Sequence, residues 1–225
     1  YMSKKILIIG SGIAGIAASL KLKSYGLEST IVDKGNFIGG RIGTREEKVG
    51  KNTYYFFHGA QFFTAKNNNF KKVINLGIKE HYIKKFGDFS PPRFRGFPTM
   101  RKKINKKISA LDEKSKSWNV FDAVISTIPA PQNLELMNNF PVLKQSLKTA
   151  SYDACMALMF YFDEHPLKIP DYFEFYNNPS ILSWMAASNN KRYWTAHTKG
   201  SYSNLNLNTN KLLIKNEILS SIEDF

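Results

Sequence analysis

Cysteine is almost missing from this sequence. Cys155 is the single one in 225 residues, so no intrachain disulfide can form and nothing points to an oxidising compartment. A cytoplasmic location is the expectation. Histidine is scarce as well, and His58, His81, His165 and His197 stand too far apart to offer a zinc spacing, so no metal is expected. Neither a GxSxG nucleophile elbow nor a P-loop lysine occurs. No stretch approaches the roughly 18 consecutive apolar residues of a membrane-spanning helix. The start, MSKK followed by apolar Ile6 to Leu20, imitates a secretory signal, but the glycine spacing within it argues for another use. What remains is 43% hydrophobic, 14% aromatic and 22% charged, which excludes disorder and collagen-like structure and leaves a soluble globular protein.

Arginine is the scarce base. The formal charge of +14 rests on 26 Lys against 6 Arg, whereas recognition of nucleic-acid phosphates and guanines favours the forked guanidinium. With 20 Asn, the lysine excess looks like the drift of an AT-rich genome, and the basic residues are scattered. Neither a nucleic-acid nor a membrane partner is expected; a small-molecule substrate is. The one dense run, Arg101 to Lys107, reads as a solvated helix face or as a lure for a phosphate-bearing small molecule.

Residues 4–10 (KKILIIG) form a short apolar run ending in glycine, which predicts a buried parallel strand. Apolar spacing from Ile13 to Tyr25, stopped by Gly26, predicts a helix, and residues 28–33 (ESTIVD) a second strand. Together they make a βαβ unit. A glycine-rich loop (Gly35 to Gly43), a helix near Asn69 to Leu76 and a break at Pro91, Pro92 and Pro98 follow, the break marking an expected lobe boundary. Residues 121–128 predict another buried strand, after which Pro129 and Pro131 are expected to delay any helix until about Gln132. Strands at 154–163, 172–176, 181–187 and 193–198 predict an antiparallel sheet, and Thr209 is the expected cap of a last helix to about Ile222.

Gly10-Ser11-Gly12-Ile13-Ala14-Gly15 lies between the first strand and its helix. In a dinucleotide fingerprint Gly10 permits the turn, Gly12 admits a pyrophosphate to the backbone, and Gly15 lets helix and strand approach, while the helix N-terminus faces the negative charge. Asp33, 18 residues after Gly15 at the end of the second strand, accepts from an adenosine ribose and repels a 2′-phosphate, favouring FAD or NAD over NADP. Lys34 then leads to Gly39-Gly40-Arg41, where two glycines allow a close loop and Arg41 supplies a forked cation.

That acid followed by a GGR loop resembles the flavoprotein amine-oxidase superfamily. His58-Gly59-Ala60-Gln61-Phe62-Phe63-Thr64 narrows the likeness to bacterial renalase-like FAD-dependent oxidoreductases. Pro98-Thr99-Met100, Ile128-Pro129-Ala130-Pro131-Gln132, Trp184 to Ser188 and Tyr193 to His197 follow in that family's order. The resemblance implies an α/β fold with a glutathione-reductase-like FAD/NAD(P)-binding Rossmann lobe (1–90 and 121–150) and a second antiparallel-sheet substrate lobe (91–120 and 151–208), the 209–225 helix belonging to either. It implies FAD held by Gly10, Gly12, Ile13, Ala14, Gly15, Asp33, Lys34, Gly40, Arg41, His58, Gly59, Ala60, Gln61 and Pro129. Gln61, Trp184 and His197 are the expected catalytic, substrate-positioning side chains. Structural readings stand beside these: His58 as an ordinary hydrogen-bonded side chain, Trp184 and His197 as sheet core.

The implied reaction is oxidation of isomeric dihydronicotinamide dinucleotides by hydride transfer to flavin, with O2 as acceptor. A flavin amine oxidase or desaturase on the same fold is one alternative; a non-catalytic dinucleotide-binding protein is another. Family members carry a C-terminal Gly-Asp segment that this string does not reach, and a further strand and loop where Trp118-Asn119-Val120 meets Phe121. The expectation is that these residues are an ordered subset, with junctions near Phe86, Asn105 and Asn119.

Overall fold

The computed structural model describes residues 4–35, 37–100, 121–164, 169–189 and 191–223. Its first elements are β1 (Ile6–Ile9), α1 (Ile13–Ser24), β2 (Ser29–Val32), a 3-10 turn (Gly40–Ile42), β3 (Arg45–Val49), β4 (Asn52–Phe56) and β5 (Phe63–Thr64). Next come α2 (Asn68–Lys79), β6 (Ile83–Lys85), β7 (Arg93–Gly96), β8 (Ala123–Ser126), α3 (Ala130–Leu136) and α4 (Pro141–Leu147). The rest are β9 (Ala157–Tyr161), β10 (Tyr172–Glu174), β11 (Leu182–Ala187), β12 (Tyr193–Thr198), α5 (Gly200–Leu205) and α6 (Lys211–Glu223).

The chain divides into two compact units, Tyr1–Arg41 with Lys102–Ser151, and Ile42–Arg101 with Tyr152–Phe225. In the first, the apolar run Ile6, Leu7 and Ile8 is buried in the middle of a parallel sheet of order β2-β1-β8. Register Ile8↔Ile31 and Ile8↔Ile125 stacks branched side chains, as a parallel strand requires. The fold class is thus mixed α/β, with a Rossmann-like parallel unit and separate antiparallel sheets.

The second unit is built on an antiparallel sheet of order β10-β11-β12-β9. Alternation sends Met185, Ala187, Trp194 and Ala196 to one face, where Ile214 and Ile218 of α6 complete the core. Trp184 and Ala186 face the other way and pack with Phe86, Phe62 and Phe89. Tyr54 and Phe56 of β4 lie edge-on to Tyr193, at 4.8 and 5.7 Å between ring centres.

This packing moves the expected lobe boundary. Residues 42–90 group with the antiparallel sheet, because their aromatic side chains cover its face, and α6 belongs to the same unit. The proline-flanked stretch is no boundary either: Arg93–Gly96 is the middle strand of a sheet of order β5-β7-β6. Two local expectations also change. Helix α3 starts at Ala130, since a proline in the first turn lacks only an N–H that has no helical acceptor. Asn210, rather than Thr209, caps α6, its Oδ1 accepting from Leu212 N at 2.8 Å.

The β6–β7 hairpin runs through Phe86, whose N–H donates to the Arg93 carbonyl at 2.9 Å. Asn105, Asn119 and the run Arg101 to Lys107 lie outside the described residues. Among the described residues, no helix is long and apolar enough to cross a membrane.

Candidate functional site

The three glycines of the first loop answer different demands. Gly10 has φ +104°, and a Cβ there would stand 2.8 Å from Thr127 Oγ1. At Gly15 a Cβ would fall 1.9 Å from the Gly10 carbonyl oxygen, so α1 crosses β1 at a distance only glycine allows. Gly12 is unlike both. Its backbone, at φ −67° and ψ 179°, suits any residue, and a Cβ would meet nothing within 4 Å. The protein's own packing therefore makes no demand for glycine there, and open space lies against the backbone where α1 begins.

The first intrahelical bond of α1 runs from Ile16 N to the Gly12 carbonyl at 3.0 Å. The N–H groups of Ile13, Ala14 and Gly15 thus have no intrahelical acceptor, and Ile13 is 55% exposed. Open space, free donors and the positive helix end fit a dinucleotide pyrophosphate.

The GGR loop docks on this one. Gly39 N donates to the Ser11 carbonyl at 2.8 Å, and Gly12 and Gly39 form a parallel bridge. Gly39 and Gly40 have φ +111° and +53°, and a Cβ on Gly40 would lie 3.3 Å from Gly12 Cα. Arg41 follows, exposed, on the 3-10 turn.

Asp33 ties the loops together. Its Oδ2 accepts from Ser11 N at 2.6 Å and Ser11 Oγ at 2.8 Å, and Oδ1 from Gly35 N at 2.8 Å. Burial works against the charge, but the bonds from Ser11 and Gly35 and the nearby Lys34 outweigh it and hold the carboxyl below its usual range. Oδ1 keeps a lone pair for a ribose hydroxyl. Pro129 stands at the start of α3, half-buried. Ser11 and Thr127 were not singled out from the sequence. Thr127 Oγ1 donates to the carbonyls of Ile9 and Gly10 at 3.0 and 3.1 Å, fixing the turn from β8, 117 residues away. Its only signal is a hydroxyl at the end of an apolar strand.

The second unit gathers the remaining expected residues. Gln61, 4% exposed, accepts from Trp184 Nε1 at 2.8 Å and donates to the Thr195 carbonyl at 3.2 Å. Indole can only donate and a carbonyl only accept, so the amide orientation is fixed. Both polar ends of Gln61 are thus engaged, the oxygen with Trp184, which stacks on Tyr172 at 5.4 Å and 11°, and the nitrogen with Thr195. His197 is cross-strand partner to Trp184, and its Nε2 lies 3.0 Å from the His58 carbonyl. Only the Nε2–H tautomer can donate there, leaving Nδ1 as acceptor. Burial lowers the His197 pKa, the bond to His58 opposing it, so the ring is neutral at pH 7. Gly59 N donates to the Gly43 carbonyl at 3.2 Å, and Ala60 is exposed.

Sequence reasoning placed no aromatic cage, yet the structure has one. The Arg93 guanidinium carbon lies 3.8 Å from the Phe89 ring centre, 4.3 Å from Phe62 and 5.3 Å from Trp184. Glu174 holds Nη1 at 2.7 Å. The signal, a cation amid aromatics in residues 86–94, becomes legible only when β7 packs beside β11's neighbours.

Residues 8–75 match the family model described as an NAD(P)-binding Rossmann-like domain. The chain is 37% identical over 103 residues to a zeta-carotene desaturase, chloroplastic/chromoplastic, of Capsicum annuum, covering 42% of this chain and 17% of the plant protein. It is 28% identical over 141 residues to lysine-specific histone demethylase 2 of Homo sapiens, 60% of this chain and 16% of that one. A 4,4'-diaponeurosporene oxygenase of Staphylococcus haemolyticus is 44% identical over 43 residues, 19% of this chain and 9% of its own length. The chain therefore spans between 9% and 17% of the length of these curated relatives. It has homologues in the flavin amine-oxidase and desaturase superfamily, and FAD is the cofactor consistent with that kinship and with the Rossmann match.

Proposed function

We propose that the chain belongs to an FAD-dependent oxidoreductase of the renalase-like kind, acting on isomeric dihydronicotinamide dinucleotides with O2 as electron acceptor. The observation that carries the dinucleotide part is the open space at Gly12, which no packing or backbone requirement explains. Bound FAD would supply the two-electron chemistry, so no protein nucleophile is needed.

The roles of the chain's own residues follow. The N–H groups of Ile13, Ala14 and Gly15 hold the pyrophosphate, aided by the charge of Arg41, while Asp33 takes the adenosine ribose. Pro129 and Lys34 border the same loops. In the second unit, Gly59 and Ala60 leave room for a flat ring beside the backbone. Gln61 fixes the Trp184 ring, a positioning role. Neutral His197 offers Nδ1 as an acceptor to a substrate N–H, so orientation rather than proton transfer is its task. The substrate is a small molecule; the scatter of lysines supports neither nucleic acid nor membrane as partner.

An amine oxidase or desaturase is the second reading, favoured by the names of the relatives, a carotene desaturase and a histone demethylase. Against an amine, the aromatic cage that would take an ammonium is filled by Arg93. Reconstituted with FAD, the protein should form peroxide with dihydronicotinamide dinucleotide isomers and stay inactive towards amines. Turnover of amines but not of the isomers would replace the first reading by the second.

A further inference from the structure

Arg95 stands on β7, in the second unit, and is 4% exposed. Its guanidinium carbon lies 3.5 Å from the Phe86 ring centre and 5.3 Å from that of Phe57. Nη1 donates to the Ala187 carbonyl at 2.9 Å. Nε and Nη2 are cut off from solvent and, among the described residues, have no hydrogen-bond partner. These two atoms are the side-on edge of a guanidinium, a pair of parallel N–H groups that matches two oxygens of a carboxylate or phosphate. Buried donors on a charged group are the most costly to leave unmade, and native proteins rarely do so without a water or ion to complete them.

Among the described residues, no acid completes this edge. Burial drives the guanidinium down to about 10, with Asp171 pulling it back, so it stays cationic at neutral pH. The Asp171 carboxylate itself is held by Lys191 Nζ at 2.8 Å.

A half-open recess of about 250 Å3 is lined by Thr53, Tyr55, Pro98, Ser188, Asn189 and Tyr193, of which Ser188 adjoins the carbonyl that Arg95 Nη1 binds. Ser188 follows the carbonyl that Nη1 binds, so bonded geometry keeps Nη1 within about 5 Å of the Ser188 nitrogen. Pro98 lies in the turn after β7, and Asn189 Nδ2 donates to its carbonyl at 2.6 Å, joining the two segments.

We propose that the Nε–Nη2 edge of Arg95 is an anion-binding site, taking a carboxylate or phosphate group of a small ligand admitted by this recess. The site lies wholly within the second unit and stands whether or not the flavin reading does.

The test follows the thermal midpoint of the full chain in inorganic phosphate and in acetate, each against chloride at constant ionic strength. The wild type should show a saturable rise of about 3 °C or more with at least one of the two. Arg95→Met should show none, and Arg95→Lys a weakened one, because lysine keeps the charge without the fork. A response to phosphate alone or acetate alone names the ligand group. No anion-specific rise in the wild type overturns the proposal, and so does an equal rise in Arg95→Met. Should Arg95→Met fail to fold, the arginine Nε–H resonances of the wild type decide. A solvent-protected Nε–H that shifts saturably with either anion supports the site, and unmoved resonances overturn it. Asp171→Asn that unfolds as readily as Arg95→Met, with no anion response in the wild type, shows an internal ion pair instead.

Discussion

Beside the ribose role proposed for it, Asp33 serves its own glycine loop, through three hydrogen bonds from Ser11 and Gly35. The sequence shows the acid at the end of β2, but Ser11 is 22 residues away and meets it only once β1 and β2 pair. Because the folded carboxyl is more acidic than its ordinary 3.8, its stabilisation is complete above that pH and is lost as pH falls through the folded value. Asp33→Asn should therefore melt below the wild type at pH 7, and the gap should close on acidification below about pH 4. Thermal melts across that range check it; a gap independent of pH would mean that the charge contributes nothing. Thr127 acts likewise at a distance, and a lone hydroxyl on an apolar strand gives no notice of it.

At the scale of elements, Gln61 and Trp184 bind the 42–100 segment to β11 through one buried bond. Trp184→Phe keeps the ring and removes the N–H, leaving the Gln61 oxygen buried without its donor. The expected loss is about 1–3 kcal/mol by urea unfolding. Trp184→Phe combined with Gln61→Leu should recover part of it, since both polar partners are then gone. β1 and β11 were legible because burial writes itself into composition, whereas β8, expected as another buried strand, pairs with β1 but leaves Ala123 and Val124 exposed. The β3–β4 hairpin was not legible: Arg45, Glu46, Glu47 and Lys48 make most of β3 polar, and Tyr54, the partner of Glu47, packs against Tyr193. The helix caps show the same limit. Thr209 and Asn210 are equivalent in sequence, and the turn geometry alone selects Asn210.

For the whole molecule, the charge of +14 remains a matter of lysine usage, and the chain divides into two compact units. The dinucleotide fingerprint was legible because two of its glycines are forced by backbone and packing; the role proposed for the third rests on the open space at its backbone. The measurement that bears most directly on this is FAD binding by Gly12→Val set beside its melting point without FAD. A Cβ at Gly12 would meet nothing within 4 Å, so the apo Gly12→Val protein should melt within about 1 kcal/mol of the wild type in stability. FAD affinity, read from absorbance and fluorescence titration, should fall at least tenfold, about 1.4 kcal/mol. Gly15→Ala, whose Cβ would sit 1.9 Å from the Gly10 oxygen, should instead lose about 3 kcal/mol of stability. Equal flavin binding by Gly12→Val and the wild type, or none by the wild type, would contradict the account.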